Sequence, residues 1–333
     1  MCGCIGFYCY EKKRKKPLNI GNKSGSFFLI FFIGVLPTYV SYMMFGNIVS
    51  LEGEDLLEAK EQFTLPILGQ LSYFLPASIV VACKKNKTKY ILIAIIFSII
   101  SALLTISKTA LLLTVVFFLI AVSKFTPSIT DNYIYKRFNT YKFIFIPILI
   151  LFMFVYNNNK RQSATNRDME FVESSSVNSV WGKDNFSQNM FLNYCYFVQP
   201  WSNFNYNVLY NKENGKIGGN TLSQFAKKIG VKPQKIRKKN PYFFNTHTYL
   251  TDYYLDFGFV FGCFMSFLLG MFIYYCYSRF GNSDDPLLIS FYILVAYATI
   301  MMFFSNHFNI GYLLNYFMTF GFTSFLIRKN IIK

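Results

Sequence analysis

Leu255-Asp-Phe-Gly-Phe-Val-Phe-Gly-Cys-Phe-Met-Ser-Phe-Leu-Leu-Gly-Met-Phe-Ile-Tyr-Tyr-Cys-Tyr-Ser278 carries one charged side chain, Asp256, near its start, and only uncharged, mostly apolar residues after it. About 20 predominantly apolar residues make a helix long enough to cross a bilayer core, and this stretch meets that length. Seven further stretches read the same way: 26–47, 63–83, 90–107, 109–123, 143–156, 287–304 and 309–327, the fourth and fifth of the eight being short. Composition agrees. Of 333 residues, 53% are hydrophobic, 20% aromatic and only 15% charged, against about 25% charged in a soluble domain. The expected fold is all-α: a polytopic transmembrane bundle of about eight spans with one large outer loop.

Charge sets the expected orientation. Lys and Arg total 33 against 16 Asp and Glu, a net +17. On a soluble protein that excess would point to nucleic acid; in a membrane protein the placement of the cations matters more, and no nucleic-acid partner is expected. With the amino terminus cytoplasmic, the inside segments are Glu11-Lys-Lys-Arg-Lys-Lys-Pro17, Lys84-Lys-Asn-Lys-Thr-Lys89, Lys124 to Lys142, Arg279 and Arg328-Lys329. The outer side receives Glu52-Gly-Glu-Asp-Leu-Leu-Glu58, the turn at Lys108 and the loop Ser305 to Asn309. The organisation is then a cytoplasmic or interfacial segment 1–25, spans one to five within 26–156, an outer loop 157–254, spans six to eight within 255–327, and a cytoplasmic tail 328–333. Residues 1–10, Met-Cys-Gly-Cys-Ile-Gly-Phe-Tyr-Cys-Tyr, are too short for a span and read as the end of a truncated one or as an interfacial segment. The seven cysteines lack the spacing of a disulfide framework or zinc site and are read as structural.

The outer loop is unusual because its cations concentrate in Lys227-Lys-Ile-Gly-Val-Lys-Pro-Gln-Lys-Ile-Arg-Lys-Lys239. Long loops escape the positive-inside rule, so the orientation stands. The segment reads either as a surface helix on anionic headgroups or as a basic surface that attracts a lipid-linked diphosphate.

Ionisable groups are costly in a membrane and mark function where they occur. Lys108, in Thr105-Ile-Ser-Lys-Thr-Ala-Leu-Leu112, either snorkels to a headgroup or meets a ligand above the membrane. Arg161 and Arg167, in Asn159-Lys-Arg-Gln-Ser-Ala-Thr-Asn-Arg167, follow span five; each guanidinium fork matches a diphosphate, and a pair of surface arginines is the plainer alternative. The densest cluster is Asn245-Thr-His-Thr-Tyr-Leu-Thr-Asp-Tyr-Tyr-Leu-Asp-Phe-Gly258. His247, one of two histidines, is the best candidate general base, because an imidazole titrating near pKa 6.5 takes a hydroxyl proton at neutral pH. Asp252 and Asp256, four apart, share a helix face; a role with the helix dipole is the simpler reading of both, and the favoured one for Asp256. His307 is a weaker candidate. With no Walker loop, dinucleotide fingerprint, His-Glu-x-x-His or Cys pair in the chain, no metal or other cofactor is expected.

Layout and motifs together resemble the Wzy-type oligosaccharide repeat unit polymerases, the O-antigen and capsule polymerases of bacteria. The resemblance covers most of residues 90–327. It rests on Ser107-Lys-Thr-Ala-Leu-Leu112 between apolar helices, on arginines opening a large outer loop, on Gly218-Gly-Asn-Thr221, and on Asn245-x-x-Thr248 followed by Asp256-Phe-Gly258. The related O-antigen ligases carry a His followed at a fixed distance by Gly, the interval from His247 to Gly258. Two departures stand: the family usually has Arg where Lys108 sits, and often more than eight spans.

The resemblance implies joining of undecaprenyl-diphosphate-linked oligosaccharides at the outer face of the cytoplasmic membrane, with both termini inside. Lys108, Arg161 and Arg167 would hold the diphosphate, His247 would be the base with Asp252 next in line, and Asn245, Thr248 and Asp256 would support them. Membrane lipids, a chain-length regulator and a flippase are the implied partners. Trp181, Tyr196 and Trp201 either stack on sugars or serve packing. A transporter of the same units would instead place polar groups near the midplane in repeated, broken helices, and no such repeat is visible. A structural membrane partner is the third reading.

Overall fold

The structure is a computed structural model that describes residues 27–46, 68–104, 108–125, 185–210, 219–221, 248–302, 320–322 and 325–326. Among these residues the protein is all-α, with no strand. The helices are α1 (Phe27–Phe45), a 3-10 turn (Leu68–Tyr73) leading into α2 (Phe74–Lys84), α3 (Thr88–Leu104), α4 (Lys108–Phe125), α5 (Asn185–Tyr210), α6 (Tyr249–Cys276) ending in a π turn (Tyr277–Gly281), and α7 (Pro286–Met301). Two apolar stretches, Phe27–Met44 and Tyr249–Gly281, are long enough to cross a membrane. The expected fifth span, the acidic loop Glu52–Glu58, the basic stretch Lys227–Lys239 and both termini lie outside the described residues, as does most of the eighth span.

The chain forms two compact units. The first comprises 20–169, 284–293 and 318–333, and its centre is α2. Every residue of α2 from Phe74 to Cys83 is buried, and α1, α3 and α4 all pack on it. Gly34 explains how closely α1 approaches: a Cβ there would stand 2.2 Å from the Leu75 backbone nitrogen. One turn on, the Thr38 and Ser101 hydroxyls share a 2.6 Å hydrogen bond between α1 and α3. The basic segment 84–89 builds the α2–α3 reversal. Asn86 takes the left-handed conformation at φ 52°, and the amides of Asn86 and Lys87 donate to the Cys83 and Ala82 carbonyls at 3.0 and 3.3 Å. This pairing satisfies carbonyls that the end of a helix leaves open.

Burial in α1 and α3 does not simply follow side-chain polarity: beside buried apolar residues such as Ile30 and Phe31, hydroxyl groups are buried and large apolar side chains stand exposed. α1 exposes Phe28, Phe32, Leu36 and Met43 and buries Thr38 and Ser41; α3 exposes Leu92, Ile96, Phe97 and Ile100 and buries Ala94, Ser98, Ser101 and Ala102. Small and hydroxylated side chains let backbones approach, whereas large apolar ones facing outward suit a hydrocarbon surround. Several hydroxyls bond back to their own helix: Ser98 to Ala94, Thr114 to Ala110 and Thr299 to Val295, each carbonyl accepting. Such back-bonding satisfies a hydroxyl within its own helix.

The second unit comprises 1–19, 170–283 and 294–317. It contains α5, which the sequence reading assigned to a polar loop. The reason it was missed is that its aromatic residues are interspersed with asparagines, so no apolar run appears. α6 likewise begins at Tyr249, six residues before the expected span. Beyond its middle, α6 buries Gly262, Ser266, Gly270 and Tyr274 at intervals of one turn, while Phe264, Leu268 and Phe272 are exposed.

Candidate functional site at the start of α6

The first turns of α6 carry Thr248, Thr251, Asp252, Leu255 and Asp256 on a buried face. Two features define this segment. At its far end Gly258 has φ 68° and ψ −172°, a conformation essentially confined to glycine, so the helix kinks there and resumes. At its near end the Tyr249 amide donates to the Met302 carbonyl at 3.2 Å, which ties the start of α6 to the end of α7.

Between them lies the most heavily bonded side chain of the region. Asp256, 5% exposed, accepts from four donors on the segment 219–221. Oδ1 takes the Asn220 amide at 2.9 Å and Asn220 Nδ2 at 2.7 Å. Oδ2 takes the Thr221 amide and hydroxyl, each at 2.7 Å, and shares the Asn220 amide at 3.0 Å. The partners lie 36 positions away in sequence. A buried carboxylate is tolerated only when it is paired or fully hydrogen-bonded, and here neutral donors do that work. The dipole role favoured for Asp256 is therefore corrected: it sits in the eighth residue of α6, beyond the first turn where the dipole acts, and its oxygens fasten a distant segment.

Asp252 is also buried, at 1% exposure, in the first turn of α6, where the dipole does favour a carboxylate. The flanking hydroxyls differ from those elsewhere. Thr248 occupies the N-cap position with no cap bond from its side chain. Thr248 Oγ1 and Thr251 Oγ1 are buried and have no hydrogen-bond partner among the described residues. α5 packs on this helix; Phe204 meets Tyr254 edge to face at 6.1 Å, and buried Asn207 donates its amide to the Asn203 carbonyl at 2.8 Å. Trp201, on the same helix, is 40% exposed.

Of the residues singled out from sequence, Thr248, Asp252 and Asp256 come together on α6. Lys108 is the first residue of α4, in the other unit. His247, Asn245, Arg161, Arg167, His307 and Trp181 lie outside the described residues. Sequence reading gave no role to Asn220 and Thr221. Their only signal was the motif Gly218-Gly-Asn-Thr221, which entered as one piece of the resemblance without roles for its single residues. Comparison of the chain with family models, with curated proteins and with solved structures gives no match.

Proposed function

We propose that this protein is a bacterial cytoplasmic-membrane polymerase, of about eight spans, that joins undecaprenyl-diphosphate-linked oligosaccharide repeat units at the outer face. One observation carries the reading: Asp256 bonds to Asn220 and Thr221. Two separate pieces of the Wzy-type resemblance, Gly218-Gly-Asn-Thr221 and Asp256-Phe-Gly258, thus meet through direct hydrogen bonds. The large apolar side chains exposed on α1, α3 and α6 support a lipid surround.

In this reaction the terminal sugar hydroxyl of one unit attacks the anomeric carbon of the growing chain. A carbon–oxygen bond forms, the bond to the lipid diphosphate breaks, and the hydroxyl proton passes to His247. Charge gathers on the departing diphosphate, where Arg161, Arg167 and Lys108 stabilise it; fixed cations aimed at developing charge are among the largest contributors to catalysis. The reaction requires no metal or cofactor. Partners are the lipid-linked unit, the surrounding lipids, and the flippase and chain-length regulator that act on the same glycan.

The test is incubation of purified protein with lipid-linked repeat units. A ladder of polymer supports the proposal. Transfer of a single glycan to another lipid acceptor would mean a ligase, and movement of units across vesicles without a new bond would mean a transporter.

A further inference from the structure

We infer that Asp256 is a positioning residue, and that with Asn220 and Thr221 it forms a latch holding the outer segment 219–221 on the start of α6 in the state that binds the lipid-linked donor. The inference rests on the polymerase reading for its substrate, but its geometry is independent of that reading. All four donors come from two consecutive residues, two from backbone and two from side chains. Such a grip fixes both the place and the orientation of the segment. It is also selective for a short carboxylate: both oxygens are used, so an amide at 256 turns a donor toward donors, and an added methylene displaces both oxygens at once. Asn220 is fully buried and Asp256 nearly so, which removes competition from water and strengthens each bond. The Gly258 kink lies two residues on, so the gripped turn of α6 is not constrained to follow the axis of the helix beyond it. The latch joins this segment to α6 through both carboxylate oxygens.

The experiment has two readouts on the purified full-length protein in detergent. Hydrogen exchange, resolved to single amides by fragmentation, follows the Asn220 and Thr221 N–H groups, which the carboxylate protects directly. Donor kinetics follow the KM for the lipid-linked repeat unit and the maximal rate. Asp256→Asn and Asn220→Asp are each expected to speed exchange of both amides by roughly ten- to hundredfold, the effect of losing one charge-assisted bond. Asp256→Ala removes every acceptor; both amides then exchange as in open chain, and KM rises by about tenfold or more with the maximal rate retained, because donor binding must first dock the segment. The double variant Asp256→Asn with Asn220→Asp restores the side-chain pair with reversed polarity but leaves one acceptor oxygen for two backbone amides, so it is expected to recover protection of the Thr221 amide and part of the KM, but not protection of the Asn220 amide.

A purely structural role would instead lower the amount of active protein, hence the maximal rate, at constant KM, and that outcome overturns the positioning role. Unchanged exchange in Asp256→Asn overturns the latch itself. If Asp256→Ala does not fold, Thr221→Val, which removes one bond, carries the same comparison with a smaller expected change. Failure of the wild type to make polymer, with the exchange pattern intact, removes the donor-binding role and the proposed function together and leaves the latch standing.

Discussion

Gly34→Ala sets two well-characterised effects against each other. Within a helix, alanine is favoured over glycine by roughly 1 kcal/mol, so propensity alone makes the variant more stable. The tertiary structure reverses the sign. The new Cβ would stand 2.2 Å from the Leu75 nitrogen, 2.6 Å from its Cα and 2.7 Å from its Cβ. Ordinary contact begins near 3.4 Å, so α1 and α2 must separate by about 1 Å or more. The obstructing atoms are mainly backbone of a wholly buried helix, and no side-chain rotation relieves them. Overpacking of this kind costs about 1–3 kcal/mol, and the upper end applies here, since separation also stretches the Thr38–Ser101 bond one turn away. After the propensity gain the net loss is about 2 kcal/mol, a fall in Tm of about 4–8 °C by domain scaling. Thermal unfolding of the purified protein, followed by loss of the monodisperse peak on size exclusion, measures it. Gly321→Ala, helical and with nothing within 4 Å of its Cβ, is the control and should show the propensity gain alone, up to about 1 kcal/mol more stable than the wild type. A Gly34→Ala protein as stable as the wild type, or more so, would refute the close crossing of α1 and α2.

Gly258→Ala has open space for its Cβ, so its expected cost of about 1–3 kcal/mol is backbone strain alone, seen as a lower Tm; Gly258→Asn should lose as much, because ψ −172° lies outside the left-handed helical region that asparagine tolerates. Thr251→Val replaces a buried hydroxyl that lacks a partner among the described residues; removing that desolvation penalty should raise stability by about 1 kcal/mol, and a loss would reveal a bond to another part of the chain. His247→Ala should lower polymer yield by about a hundred- to ten-thousandfold, the usual range for a general base, with membrane abundance unchanged; normal polymer would move the role to another group. Arg161→Lys and Arg167→Lys keep the charge and lose the fork, so full activity in both would return them to surface arginines. For topology, Cys83 is a poor reporter because it is buried. In a cysteine-free background, a thiol placed at exposed Lys87 should resist a membrane-impermeant reagent in intact spheroplasts, while one at Glu54 should react.

The local layer of this protein was legible in its chain. Apolar runs located α1, α2, α3, α4, α6 and α7 to within a few residues at most of their ends, because a helix satisfies its own backbone and records itself in contiguous sequence. The cluster 245–258 likewise stood out, since polar groups beside a membrane span are rare. What the chain could not express was which face of each helix turns inward. α1, α3 and α6 are apolar nearly all the way round, and the inward faces include Gly34, Thr38, Ser98 and Gly262 beside large apolar residues such as Ile30 and Phe31, so hydrophobicity alone does not mark them. α5 stayed hidden for the opposite reason, its asparagines breaking the apolar signal. Asp256 shows the limit most clearly. Its residue type and its place on α6 were both readable, and they suggested a dipole role. Its actual partners, Asn220 and Thr221, are 36 and 35 positions away. Helical periodicity reports neighbours three and four apart, whereas the bonding of a buried carboxylate is decided by whichever distant donors the fold delivers to it.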